Sequence, residues 1–550
     1  MQMTVVHYLA AMLQAFGIKR LVASPGTQNA YFNLLLQQNP FFTCKSVVDE
    51  RSAAYAASGW ADECGEPVLI TCTEATASRN YLSALTECYY RRIPVIAITF
   101  YNPFGSALAL SPQHIDRSFG PLDCAYLHVE LPVIKTPVDR IICQERINEA
   151  LITAKYQRVP VHINVPSVCD WPTLQDRSLP QDFSTTVCLN ATELGRVDWR
   201  SLKDRNFALF IGAHPRFAPQ TLELIGQFVE KHGIPVLCEH NSNYNGPNRV
   251  LTTVFSALLP LNATLLPHVI LDLGGICADY LADVIFQQAN TMLLPADGKY
   301  HCRQHRIPQV MFAMSETEFF ARMLQLPEFP CDSTYFGRIA QARAGVVMPK
   351  LPLSTPLVCE LLSQKLQRPC SVHFSILNAY RMANCFDFAH GVTVSCNTGG
   401  FGIDGAVSAA VGHSWSDPQR LTIAVTGDLA FYYDMSMIGN RDIGPNFRII
   451  VINNSGGEEF RLNYNLLQQA QSQVEPLVAA ANHCAGGFKG WAKSCGFVYR
   501  QAADVPTLEK EITNLCTQEF ERPVFLEVPT TDAAEREAYS KLLMQHLKFA

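Results

Sequence analysis

The chain has 550 residues, 48% of them hydrophobic and 17% charged, with a formal net charge of −6. That length exceeds what one core supports and implies about three domains. The composition is that of a well-packed globule, and the acidic balance gives no basis for binding nucleic acid or an anionic membrane. The 19 cysteines are scattered without CxxC spacing. This argues against zinc sites and a disulfide scaffold, and for a reducing cytoplasm. Near the start, VVHYLAAMLQAFGIKRLV is interrupted by His7 and Gln14. It reads as an amphipathic helix running into a strand rather than as a signal peptide. No run of about 20 apolar residues is available to span a membrane.

Residues 1–170 alternate strand-like runs (Leu21–Ala23, Val68–Cys72, Pro94–Thr99, Val159–Val165) with helix-like ones (Ser52–Cys64, Ala77–Arg91). Such alternation predicts an α/β domain with a parallel sheet. Ser24-Pro25-Gly26 breaks the chain after the first strand, where a ligand loop sits in such sheets. Val47-Val48 precede Asp49-Glu50, which open a helix. A glutamate there has a raised pKa if its surroundings are apolar. The alternative is that both acids favour the positive end of the helix dipole. Residues 171–185 are polar and contain proline, and read as a linker. A second α/β region covers 186–345, with strands at Phe207–Ile211, Pro235–Leu237 and Val269–Leu273, and reads as a spacer. A second linker, 346–355, leads into a third domain at 356–550.

In that third domain two apolar runs, Leu421–Val425 and Arg448–Ile452, read as buried parallel strands. They end in Gly427-Asp428 and Asn453-Asn454, with Gly456-Gly457 following. The Asp428 carboxylate, the Asn454 amide oxygen and the Gly456 carbonyl offer three hard oxygens. That leaves about three octahedral positions of Mg²⁺ for phosphate oxygens and water. The competing reading is two ordinary turns, since GD and NN are common turn dipeptides.

The GD…NN pattern, with Asp428 and Asn454 26 residues apart, resembles the metal motif of thiamine-diphosphate (ThDP) enzymes. Further stretches resemble one branch of them, the menaquinone-pathway succinyl-enolpyruvyl-hydroxycyclohexene-carboxylate synthases (MenD-like). These are SPG (24–26), DERSA (49–53), CTEATA (72–77) with Asn80-Tyr81, PQHID (112–116), PVHINVP (160–166), NTGGFGIDGAVSAAVG (397–412), GDLAFYYDM (427–435) and NNSGG (453–457).

The resemblance implies three Rossmann-like domains: pyrimidine-binding with the catalytic glutamate, middle, and diphosphate- and Mg²⁺-binding. It implies thiamine diphosphate and Mg²⁺ as cofactors, with Asp428, Asn454 and Gly456 on the metal. Glu50 would share a proton with the cofactor's aminopyrimidine, which then removes the thiazolium C2 proton. Ile403 would bend the cofactor into its reactive shape. Thr73, Thr76, Gly402, Gly427, Leu429 and Ala430 would complete the cofactor site, with Gln113 on a catalytic loop. Because Glu50 and the metal loop come from different subunits in this family, a homodimer or homotetramer is implied.

The sequence also departs from that branch. Arginines that serve its acidic substrates are replaced at Gln28, beside Thr27, and at Thr398, while Arg381 aligns with one of them. Bidentate guanidinium recognition of carboxylates is hard to replace. The expectation is therefore not the menaquinone synthase but a carboligase that decarboxylates a less anionic 2-oxo acid and passes the acyl carbanion to a small acceptor. Glu74 is read either as an acid/base near the thiazolium or as a solvent-facing loop residue. His114 is read as a proton donor or as an exposed loop histidine; as a donor it favours simple decarboxylation with aldehyde release. Glu458, Glu459 and Arg461 either line the pocket or form a solvated helix start. A regulatory ThDP-binding protein is the non-enzyme alternative, and Glu50 speaks against it. No convincing GxGxxG fingerprint supports a flavin oxidase.

Overall fold

The computed structural model describes residues 4–73, 76–104, 121–167, 178–278, 282–303, 305–462, 477–483 and 486–544. Its fold is α/β, with three parallel sheets flanked by helices. By contact, the chain divides into two compact units, one of residues 1–197 with 291–314, the other of 198–290 with 315–550.

The first unit holds β1 (Arg20–Ala23), β2 (Thr43–Ser46), β3 (Val68–Cys72), β4 (Val95–Tyr101), β5 (Leu127–Glu130) and β6 (Val161–Pro166), ordered β2-β1-β3-β4-β6-β5. β3 is buried along its whole length, as a parallel strand covered on both faces must be. The run expected as one helix from Ala77 to Arg91 is two, Thr76–Asn80 and Leu82–Arg91. Asn80 turns its side chain back to the Thr76 carbonyl (3.2 Å), which competes with continuation of the helix. Val47 packs against the core, but Val48 is 79% exposed in the single chain. The apolar setting expected for Glu50 from both valines therefore has one of them. The described end of the expected linker is docked. The Ser184 amide donates to Gln144 (2.9 Å), and Asn148 donates to the Ser184 carbonyl (2.9 Å). From the middle region this unit also holds β7 (Val187–Leu189), with β13 (Val310–Phe312) beside it.

The second unit holds β8 (Phe207–Ile211), β9 (Val236–Cys238), β10 (Arg249–Leu251) and β11 (Val269–Asp272), ordered β10-β9-β8-β11. β12 spans Asn290–Leu293 at the division. The last sheet has β14 (Cys370–Phe374), β15 (Val392–Cys396), β16 (Leu421–Gly427), β17 (Phe447–Asn453), β18 (Val498–Gln501) and β19 (Val524–Pro529), ordered β15-β14-β16-β17-β19-β18. β16 and β17 pair in parallel, from Thr422 opposite Phe447 to Gly427 opposite Ile452. That register brings Gly427-Asp428 and Asn453-Asn454 to one edge. Successive strands leave β14 and β16 in opposite directions, so this edge is a topological switch point, where open α/β sheets form a crevice. In the first unit the equivalent point lies between β1 and β3.

Among the described residues no helix is long and apolar enough to cross a membrane, and the 17 described cysteines are free.

Candidate active site

At the C-terminal edge of β14, β16 and β17 lies a cleft of ≈ 330 Å³. Its walls include Ile403, Gly427, Asp428, Leu429, Ala430, Asn454 and Gly456, together with Ser375 to Ala379 and Glu458 to Phe460. Seven residues expected at the cofactor and metal are thus brought together within one unit, with Gly402 adjoining Ile403.

Asp428 opens a short helix, Asp428–Asp434. Its carboxylate is 2% exposed and accepts from the amides of Leu429 (2.7 Å) and Gly456 (3.0 Å). Burial outweighs these bonds and pushes its pKa up to about 6, so a cation in the cleft would favour the ionised form. At the far end of the same helix, Asp434 accepts from the amides of Val407 (2.7 Å) and Ser408 (3.1 Å). That bond caps the helix Ala406–Ser416 and ties the turn bearing Ile403 to the helix bearing Asp428.

The two asparagines divide the work. Asn453 donates to the buried Glu527 (2.8 Å), which also accepts from Phe488 N (3.0 Å) and Tyr499 OH (2.8 Å). Asn454 donates to Glu458 (3.1 Å), and its own oxygen Oδ1 is buried without a hydrogen-bond partner. An orphaned acceptor beside a buried carboxylate is costly unless something electropositive meets it. This donor set fits Mg²⁺: one carboxylate oxygen, one amide oxygen and the Gly456 carbonyl. Among the described residues no group of three or more His, Cys, Asp or Glu is placed to hold a metal. Gly456 is needed for close approach, since a Cβ there would lie 2.6 Å from the Arg461 guanidinium. Accordingly Asn453→Ala should cost about 1–3 kcal/mol of stability, because it strips a partner from buried Glu527. Asn454→Ala should leave the unfolding transition nearly unchanged and weaken Mg²⁺-dependent ThDP binding. Denaturant titration and calorimetry check the pair.

Glu458 and Arg461 are 7% and 4% exposed, so a solvated helix start does not describe them. Arg461 donates to the carbonyls of Asn454 (2.9 Å) and Ser455 (3.2 Å) and lies 3.6 Å from Glu458. It clamps the Asn454–Ser455 turn through its backbone. Burial, then the nearby Glu535 and Asp532 carboxylates, push Glu458 up to about 8.

Sequence reasoning missed two features. Leu377, on the cleft wall, has φ +67° and ψ −125°, a strained backbone for a residue with a Cβ and typical of functional loops; no residue type signals it. Glu535, from the C-terminal helix, is 4% exposed and accepts the Thr355 amide with both oxygens (3.0 and 3.1 Å). Burial raises its pKa from 4.5 to about 7. A carboxyl that binds its proton more tightly when folded stabilises the fold fully below pH 4.5, and that contribution is lost as pH rises through 7. Glu535→Gln should therefore gain roughly 1–3 kcal/mol relative to the parent between pH 5 and pH 8, read from thermal unfolding of the ligand-free proteins.

Other candidates are placed as follows. Arg381 is buried and ion-paired with Glu459 (3.0 Å). Thr398 is 3% exposed, accepts from Asn241 (2.7 Å) and is not part of the cleft wall. In the first unit, Glu50 is the first residue of the helix Glu50–Cys64, half-buried, with Asp49 capping the helix through the Arg51 amide (2.9 Å). The Glu50 charge contributes to the raised pKa of buried Tyr81, after burial itself and Cys72. Thr73 has a buried, unpartnered hydroxyl. It abuts Gly26, where a Cβ would lie 2.6 Å from the Thr73 Cβ, which explains the glycine of SPG. Asn29 holds this loop to Ser24 O (2.9 Å) and Thr71 (3.0 Å). Thr27 and Thr76 are exposed and Gln28 is half-buried. These residues gather at the switch point of β1 and β3. Glu74, Gln113 and His114 lie outside the described residues.

Residues 3–118 match the family described as thiamine pyrophosphate enzyme, N-terminal TPP binding domain. Over 95% of its length the chain is 28% identical to 2-succinyl-5-enolpyruvyl-6-hydroxy-3-cyclohexene-1-carboxylate synthase of Bacteroides fragilis, covering 95% of that protein. It is 28% identical to the Phocaeicola vulgatus synthase over 95% of this chain and 94% of that one. For the Flavobacterium johnsoniae synthase the identity is 28% over 82% of each.

Proposed function

Since the chain is a thiamine-diphosphate enzyme homologue of the MenD-like branch, we propose that it decarboxylates a 2-oxo acid and transfers the acyl unit to a small acceptor, with Mg²⁺ holding the cofactor. The observation that carries this reading is the pairing of a buried Asp428 carboxylate with the orphaned Asn454 oxygen at the crevice of β14 and β16. When bound, the cofactor supplies an electron-accepting carbon on which a 2-oxo acid loses CO₂.

The chain's own residues do the rest. Asp428, Asn454 and the Gly456 carbonyl hold the metal. Arg461 fixes the loop that presents two of them. Ile403 and Leu429 give the cleft apolar walls that exclude water. Glu50 would exchange a proton with the aminopyrimidine of a bound cofactor, a role that a mere diphosphate anchor does not require. The three-domain division at 1–170, 186–345 and 356–550 accompanies this reading, as does a cytoplasmic setting.

Glu50 and the metal loop lie in different units of the chain, and we take the assembly to be a homodimer or a dimer of dimers. Val48 and Tyr55 beside Glu50 are 79% and 47% exposed, an apolar surface that a second copy would cover.

The substrate reading departs from that of the relatives. Gln28 and Thr398 stand where the branch carries arginines, so the donor is less anionic than a dicarboxylic 2-oxo acid. Carboligation is tested by supplying donor with and without acceptor aldehydes. A ligated hydroxyketone supports transfer. Free aldehyde in undiminished yield despite acceptor would make the protein a simple decarboxylase.

A further inference from the structure

We propose that the Arg381–Glu459 ion pair sets the charge of the substrate accepted at this cleft, by neutralising internally a guanidinium that would otherwise bind a second carboxylate. The inference rests on the 2-oxo-acid reading and names its specificity element.

Glu459 lies on the cleft wall beside Asn378. Its carboxylate meets the Arg381 fork twice, at 3.0 Å and 3.4 Å, and Arg381 also reaches Asn378 (3.3 Å). The arginine side chain is 7% exposed and the glutamate 31%. An incoming carboxylate thus meets Glu459 first, and the bidentate face it needs is already taken. Nearby, Arg461 is engaged by the carbonyls of Asn454 and Ser455 and lies 3.6 Å from Glu458. No lysine or arginine is among the described residues lining the cleft. Among the described residues this end of the cleft wall therefore offers a substrate no cation, and it accepts a substrate whose distal group is uncharged. Like charge at the rim works against a dicarboxylate in addition.

The test measures binding without turnover. Butyrate and glutarate, which lack a reacting 2-oxo group, are titrated calorimetrically into the full-length protein with ThDP and Mg²⁺. The parent should bind butyrate in preference to glutarate. Glu459→Gln, which keeps size and removes charge, should gain about tenfold or more in glutarate affinity, with butyrate little changed. The double variant Glu459→Gln/Arg381→Gln should lose that gain. Glu459→Ala serves as a second route to the same vacancy if the glutamine variant misfolds, with circular dichroism and cofactor binding as controls. No gain in glutarate affinity in either folded variant, or a gain that survives loss of Arg381, overturns the proposal. Because the readout is binding, failure of every 2-oxo acid to turn over would sink the decarboxylation reading while leaving this result standing.

Discussion

Glu50→Gln should lower CO₂ release from the donor acid by roughly 10²–10⁴-fold, the range spanned by a positioned general acid or base, while ThDP and Mg²⁺ still bind. Glu50 is half-buried in the first turn of its helix. Asp49 already caps the helix through the Arg51 amide, so the end of the helix does not depend on Glu50. The substitution keeps shape and removes a proton that can be exchanged. The loss should therefore fall on turnover, and hydrogen–deuterium exchange at the reactive carbon of the bound cofactor should slow in parallel. Full activity in this variant would remove Glu50 from the mechanism.

Asp428→Ala should abolish the dependence of ThDP affinity on Mg²⁺ and weaken cofactor binding by more than about 100-fold, since even supporting groups around a metal are commonly worth 10–100-fold. Asp428 is the only carboxylate among the three expected ligands. Its removal also strips acceptors from Leu429 N and Gly456 N, which loosens the loop that presents Asn454. Calorimetric titration of ThDP at fixed Mg²⁺, and again in EDTA, reads the effect. Equal affinities for parent and variant would place the metal elsewhere.

The cleft at β14, β16 and β17 is legible in the sequence because buried parallel strands are written as continuous apolar runs. Leu421–Val425 and Arg448–Ile452 appear as β16 and β17, each two residues longer, and the polar residues ending them mark the crevice. Length and alternation likewise reveal the three sheets. What the sequence hides is set by tertiary burial. Glu458, Arg461 and Glu535 look like surface residues in any one-dimensional reading. They are buried where the helix Glu458–Leu462, just after the Asn454–Gly457 loop, meets the helix Asp532–Tyr539 from a distant part of the chain. Arg381 reads as a substrate arginine until its partner Glu459, 78 residues away, is seen beside it. Val48, expected to add to the apolar surroundings of Glu50, is exposed in the single chain. It follows the end of a short strand, β2, whose last residue is Ser46, so alternation no longer governs where it faces. The strained Leu377 carries no compositional signal at all.

The most direct measurement of the account is CO₂ release by the full-length protein with ThDP and Mg²⁺, across pyruvate, 2-oxobutyrate and 2-oxoglutarate. The account predicts release from the monocarboxylic donors that stops in EDTA, with little or none from 2-oxoglutarate. Release from 2-oxoglutarate alone would contradict it, and would mean that other residues replace the missing arginines.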